Sequence, residues 1–389
     1  MIPGLDGIRA LGIMLVIDFH AGGVGGLQKF GGTMQAFFVL SGFLITGILL
    51  RMKETLPKNQ FFGKFYGRRF LRIFPAYYLY LFLVTILIWS SAGMPVPVRT
   101  ELQDLVAPQI RYSYLYISNF HAASLNFEDT PFLTHFWTLS MEEQFYLLWP
   151  IVLFLTPKEN FKRLLTAIIV VAPLLRLVIF WISSNQLVPN ITNDPYVSVF
   201  VLPFSHIDAF ALGAYVTTFQ FPQPRRQLAI LAIALPAIGY VIQYFSYGKV
   251  LWDTFGYEFA FISGYKYLWG YSLINYFFAL FIQAVVHEKL FVSFLNHPAL
   301  NAMGKMSYGM YIFHYPIIWL VTLLRSKYKS FFPYPDLETT FIFLTGLALT
   351  LLVSSISYRW FENPINNLKD RWFPIRPEKI IPLKQTENR

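Results

Sequence analysis

Ten long apolar runs set the limits on what this chain can fold into. They cover about 9–26, 34–51, 73–91, 137–155, 163–182, 199–219, 227–245, 269–286, 306–324 and 339–360. A helix needs about 20 mostly apolar residues to cross a bilayer. The expected fold class is therefore all-α: a polytopic integral membrane bundle of about ten transmembrane helices. Charged residues make up 13% of the chain and hydrophobic ones 55%, against roughly 25% charged in an ordinary soluble domain. A water-soluble protein of that composition would expose large sticky patches. The 24 Tyr suit membrane–water interfaces.

The longest segment between runs, about 92–136, carries Pro95, Pro97 and Pro108 and then an aromatic stretch from Tyr112 to Phe120. It has room for a short interfacial helix. No linker or composition shift marks a second folding unit, so residues 1–365 read as one transmembrane domain and 366–389 as a short cytoplasmic tail. Met1 leads within a few residues into the first run without a small-residue cleavage site, and that run reads as a span, not a cleaved leader. With the N-terminus inside, 22 Lys and Arg fall on the cytoplasmic side and 8 outside, with Arg176 inside a span. That bias follows the positive-inside rule, and ten spans return the C-terminus to the same side. It also accounts for the net charge of +10 without a nucleic-acid partner. The absence of Cys excludes disulfides, thiolate metal sites and a thiol acyl-enzyme. No HExxH pattern or close His/Asp cluster argues for a metal.

Ionisable residues inside spans are costly and are functional candidates by default. Arg9 and His20 stand 11 residues apart in the first run, which puts them on one helix face with a rise of about 16 Å between them. His20 is the candidate base. Glu142 and Glu143 open the fourth run within His135-Phe-Trp137-Thr-Leu-Ser-Met-Glu-Glu. One of the two is expected to face the interior and to orient and tune His20. Arg68, Arg69 and Arg72 precede the third run as a cationic cluster suited to the phosphates of a nucleotide-like donor. Neither a Walker A sequence nor a dinucleotide-type Gly-rich loop accompanies them. Small residues at Gly31, Gly32, Ser41, Gly42 and Gly213 suit close helix packing. His206 and Asp208 open the sixth run, His314 lies in the ninth, and Asp18 has no evident partner.

Taken in order, Leu5-Asp-Gly-Ile-Arg-Ala10, the Arg9–His20 spacing, Phe37–Ile45, Arg68–Pro75, Trp137–Pro150, Ser307–Pro316 and Ser357–Pro364 make the sequence resemble the membrane acyltransferase 3 family. That family acylates bacterial surface glycans and some small molecules. The resemblance implies that His20 is essential for transfer with Arg9 as its companion, that Glu142 beside Glu143 is the acidic position of the fourth helix, and that Arg69 and Arg72, with Arg9 and Arg68, handle acyl-CoA. It leaves His135, Trp137, Asp208 and His314 as residues that contact the acceptor or support the site. His206 stands where the family is expected to favour Arg, which puts a cation role there in doubt. The tail lacks the extracytoplasmic hydrolase-like domain of some relatives, so a two-module relay is not expected unless a separate protein supplies the second module.

The resemblance thus implies an acyl-CoA-dependent O-acyltransferase of the bacterial inner membrane. Acyl-CoA, most often acetyl-CoA, is then a co-substrate, no cofactor is permanently bound, and the acceptor is an envelope glycan such as a lipopolysaccharide or a lipid-linked sugar. Membrane lipids are the remaining partners. The alternatives are acylation of a small molecule, or a transporter or flippase of glycan precursors. Against the last, the sequence shows no internal repeat and no paired broken helices.

Overall fold

A computed structural model describes residues 2–24, 30–124, 130–188, 194–326 and 334–375. The tail beyond 375, with Arg376, Lys379, Lys384 and Arg389, lies outside them, as do Lys29, Lys327 and Lys329. Each of the ten apolar runs forms a helix. These are α1 (Leu5–His20), α2 (Thr33–Thr55), α3 (Lys58–Ser90), α4 (Phe136–Leu155), α5 (Lys158–Ser184), α6 (Ile207–Thr218), α7 (Pro224–Tyr247), α8 (Lys266–Glu288), α9 (Pro298–Ser326) and α10 (Pro335–Ser357). An eleventh, α11 (Asn363–Trp372), follows, and no strand occurs among the described residues. The segment between α3 and α4 folds into short helical pieces from Ser91 to Ser124.

Among the described residues seven helices are long and apolar enough to cross a membrane: α2, α3, α5, α7, α8, α9 and α10. An eighth forms if α6 and the preceding Pro195–Val201 are one span bent by 64°. Pro203 sits at the break and supplies no backbone donor to carry the helix through. The expected count of ten is therefore reached in helices and not in full-length spans. With 16 residues, α1 rises about 24 Å, short of a hydrocarbon core of about 30 Å. It stops at His20 instead of running to 26, because Gly22 and Gly23 adopt φ of 95° and 74°, where the chain turns back. The apolar run of α4 is diluted by Glu142, Glu143 and Gln144.

Contact between helices follows the small residues. A Cβ on Gly213 of α6 would overlap the carbonyl oxygen of Val39, and one on Gly42 of α2 that of Phe210. The absence of a side chain at both positions lets two backbones cross nearly in contact. Helix α1 is likewise seated against α9. Helix α2 also packs against α1 and α4, and this gathers α1, α2, α4 and α9 around the place where His20, His135 and His314 meet.

The basic segment differs from expectation in a useful way. It is not a loop before a span, since α3 begins at Lys58 and carries all three arginines on regular helix. Arg69 and Arg72, three residues apart, share one face, and Arg68 points about 100° away.

Candidate active site

The C-terminal end of α1, the N-terminal end of α4 and the middle of α9 enclose a cavity of about 230 Å³. Its wall includes His20, Thr33, Thr134, His135, Tyr311 and Tyr315 on the polar side and Trp137, Phe200 and Phe259 on the aromatic side. His20 Nδ1 lies 2.9 Å from the Val16 carbonyl oxygen and 3.2 Å from His314 Nε2. The Tyr315 ring packs on His20 with centroids 4.2 Å apart. His314 is fully buried, and its Nδ1 donates to the Tyr311 carbonyl at 2.7 Å.

His135 completes a group of three imidazoles, its ring centroid 5.1 Å from that of His314. Its orientation follows from a proline. Pro316 has no N–H, so the carbonyl of Ile312, four residues earlier, loses its helical donor. His135 Nε2 fills that place at 3.2 Å. A neutral imidazole that donates through Nε2 keeps its lone pair on Nδ1, and His135 Nδ1 is buried with no hydrogen-bond partner. The Tyr311 hydroxyl ties the corner together, at 2.5 Å from Thr138 Oγ1 and 2.8 Å from the His135 carbonyl oxygen. Although three imidazoles meet here, no group of three ligand side chains among the described residues is arranged to hold a metal ion.

Toward the other end of α1 lies a second cluster. The Arg69 guanidinium sits over the Tyr146 ring, 5.0 Å from its centroid. Tyr146 donates to Glu142 Oε2 at 2.7 Å, and its hydroxyl is 3.1 Å from Ser41 Oγ. Arg9 donates to Asp6 Oδ1 at 2.8 Å. Arg9, Arg69 and Arg72 are close enough to act on one another electrostatically. The three like charges lie near one another, with Arg72 exposed, and guanidinium groups have the donor geometry that matches phosphate oxygens. Glu142 and Glu143 each lie within electrostatic reach of Arg69.

Comparison with known proteins bears on this arrangement. A family described as "Acyltransferase domain" matches residues 2–359. The chain belongs to that acyltransferase family. It is 31% identical over 385 residues, 94% of its length, to the peptidoglycan O-acetyltransferase OatA of Listeria monocytogenes. It is 28% identical over 404 residues, 99% of its length, to the O-acetyltransferase OatA of Staphylococcus aureus. The chain spans less than two thirds of these curated relatives, 56% and 60% of their lengths. No solved structure matches it.

Several candidates in this member of the acyltransferase family occupy other places than the sequence led one to expect. The partner given to His20 is His314, and the partner given to Glu142 is Tyr146, one turn along the same helix. Arg68 leaves the other arginines: it pairs with Asp370 at 2.8 Å and donates to the carbonyls of Lys369 and Phe373 at 3.2 and 3.0 Å. It thereby satisfies carbonyls at the C-terminal end of α11. The boundary at 365 falls inside α11, which packs on α3, so residues 366–372 belong to the fold. That packing brings in a residue absent from the expected set. Lys369 lies within electrostatic reach of Arg72, Arg68 and Arg69. The run Asn-Pro-Ile-Asn-Asn-Leu-Lys, with Pro364 at the first turn, was the available signal for this helix.

Asp208 does not reach the cavity group. It accepts from Arg176 at 2.5 Å, Ser272 at 2.6 Å and Asn275 at 3.1 Å. Arg176 is fully buried and also donates to the carbonyls of Ser205 and Leu268. The cation beside Asp208 is thus Arg176 of α5. His206 itself is buried, 3.1 Å from Gln35 Nε2 and 2.9 Å from the Phe200 carbonyl oxygen. Asp18 also gains an account: its Oδ1 accepts the Val24 N–H at 2.7 Å and closes the turn after α1.

Proposed function

We propose that this chain is a membrane O-acetyltransferase that moves an acetyl group from acetyl-CoA to a hydroxyl of an envelope glycan, peptidoglycan being the first to test. One observation carries the reading. A single short helix joins a cluster of guanidinium groups at Arg9 to an imidazole in a cavity wall at His20, about 16 Å apart along its axis. The first end suits the phosphates of a nucleotide-linked thioester, held by Arg9, Arg69 and Arg72 with Lys369 beside them. The second suits proton transfer. The names of the relatives support acetyl and glycan as the two halves of the reaction.

In this reading the thioester end of the donor reaches from the arginines toward His20. The aromatic wall, with Trp137 and Phe200 centroids 4.7 Å apart and Phe200 and Phe259 4.6 Å apart, receives the sugar, as ligand cavities are commonly lined by aromatic groups with a few polar ones. His20 takes the hydroxyl proton as the oxygen attacks the thioester carbonyl. The new C–O bond forms, the C–S bond breaks, and the proton passes from His20 to the departing thiolate. Glu142, Tyr146 and Ser41 hold Arg69 in place instead of tuning the base. The arginine end faces the cytoplasm of a bacterial inner membrane, where acetyl-CoA is made, and the cavity faces outward.

The test is base-labile acetate on purified peptidoglycan, with mass spectrometry for one added acetyl per sugar. Cells with the chain gain the modification. His20→Ala lowers it by at least about 10²-fold, the usual worth of a positioned general base, while the amount of chain in the membrane holds. Undiminished acetylation in His20→Ala would remove His20 from the chemistry.

A further inference from the structure

We propose that His314 is a positioning residue that fixes the tautomer of His20, so that a second imidazole serves where a carboxylate is commonly found beside a catalytic histidine. The proposal rests on the reading of His20 as proton acceptor and gives that base its specific atom.

Hydrogen-bond chemistry leads to it from the backbone outward. A carbonyl oxygen only accepts. His314 Nδ1, 2.7 Å from the Tyr311 carbonyl oxygen, therefore carries a hydrogen. His314 is fully buried among helices, where a lone charge is costly, so the ring is neutral. A neutral imidazole has one N–H, which leaves the lone pair on Nε2. That lone pair lies 3.2 Å from His20 Nδ1. On its other side His20 Nδ1 meets a second acceptor, the Val16 carbonyl oxygen at 2.9 Å. A nitrogen between two acceptors must be the protonated one. The opposite tautomer would set the Nδ1 lone pair against both.

His20 is thus held with its hydrogen on Nδ1 and its basic lone pair on Nε2, in a ring that lines the cavity. When Nε2 takes the hydroxyl proton, the imidazolium keeps its Nδ1–H on His314 Nε2. That bond becomes charge-assisted and strengthens only as the reaction proceeds. His314 neither gains nor loses a proton, and the proton on Nε2 leaves with the thiolate. His135 shows that the choice is not imposed by the cavity, since the freed Ile312 carbonyl selects the Nε2–H form there.

The experiment uses the full chain in lipid nanodiscs, labelled with 15N-histidine, whose ring-nitrogen shifts distinguish the two tautomers. The His20 signals are assigned by their loss in His20→Ala. Transfer is followed with acetyl-CoA and peptidoglycan fragments. His20 is expected as the Nδ1–H form. In His314→Ala, kcat falls by about 10²–10⁴-fold, while KM for acetyl-CoA changes less than about twofold. His314→Gln, whose side-chain oxygen can accept from Nδ1–H, recovers at least a tenth of the loss on a logarithmic scale. His20 found as the Nε2–H form overturns the proposal, even if neither His314 variant folds. So does kcat in folded His314→Ala within twofold of the parent, or a Gln variant no better than Ala. An active His20→Ala would instead overturn the reading of His20 as the base.

Discussion

Two of the polar clusters buried among the described residues of this chain are built on opposite terms. Around Asp208 each guanidinium nitrogen of Arg176 has an acceptor, and both carboxylate oxygens receive donors. Around His20 one bond joins His20 to His314, each of the three rings also bonds to a backbone carbonyl, and His135 Nδ1 is left buried with a lone pair and no hydrogen-bond partner. Both clusters are costly to bury, and cost alone marked both as functional in the sequence. The structure separates them by how the charged groups are satisfied: every nitrogen and oxygen of the Arg176–Asp208 pair has a partner, and the buried atom left over there is the neutral Asn275 Oδ1. A closed network keeps its charges for the fold, whereas an open one beside a cavity keeps bonding capacity for something that enters.

That contrast can be broken most sharply at Arg176. Arg176→Ala leaves Asp208 as a lone buried charge, and stability should fall by about 3–5 kcal/mol, read as a lower melting temperature of the chain in detergent and a lower level in membranes. If the protein tolerates it, the closed network is not structural. A finer version replaces both partners. Arg176→Met with Asp208→Leu should recover most of that loss, because a buried ion pair and a well-packed apolar pair are often of similar stability. The double variant should also keep its transfer activity, which no apolar replacement at His20 would do.

A smaller effect distinguishes the arginines of α3. If the donor is held as proposed, Arg72→Ala removes a charge-assisted contact of about 1.5–3 kcal/mol, which should raise KM for acetyl-CoA roughly 10- to 100-fold in a transfer assay. Arg68→Ala should change stability by no more than about 1 kcal/mol, as for an exposed ion pair, and loosen α11, visible as faster hydrogen exchange in 363–372. Equal effects on KM from the two variants would erase the distinction between them.

Much of this could be seen in the sequence, and what was missed has a common cause. All ten apolar runs are helices, and the pairing of Arg69 with Arg72 follows from their spacing. The Glu142–Tyr146 pair, four residues apart on α4, also follows from helical spacing, although the expected partner of Glu142 was His20. The contacts that were not legible join distant parts of the chain. Arg176 meets Asp208 from a helix 32 residues upstream, and His314 meets His20 across 294. Both members of the second pair were named from their motifs, but a single sequence carries periodicity within an element and not the register between elements. The end of α1 at His20 fell between these cases, since Gly22 and Gly23 were visible and the apolar run beyond them outweighed them.

The shortness of α1 bears on how cargo could cross. A helix of 16 residues that ends in a cavity makes the barrier locally thinner than the bilayer around it. A long, flexible donor anchored by its charged head at one face could then present its far end to an acceptor arriving from the other. Neither molecule would have to traverse the whole width, and no half of the protein would have to rock. Such an enzyme would resemble a hatch more than an airlock: vectorial delivery would come from the length of the donor's own arm.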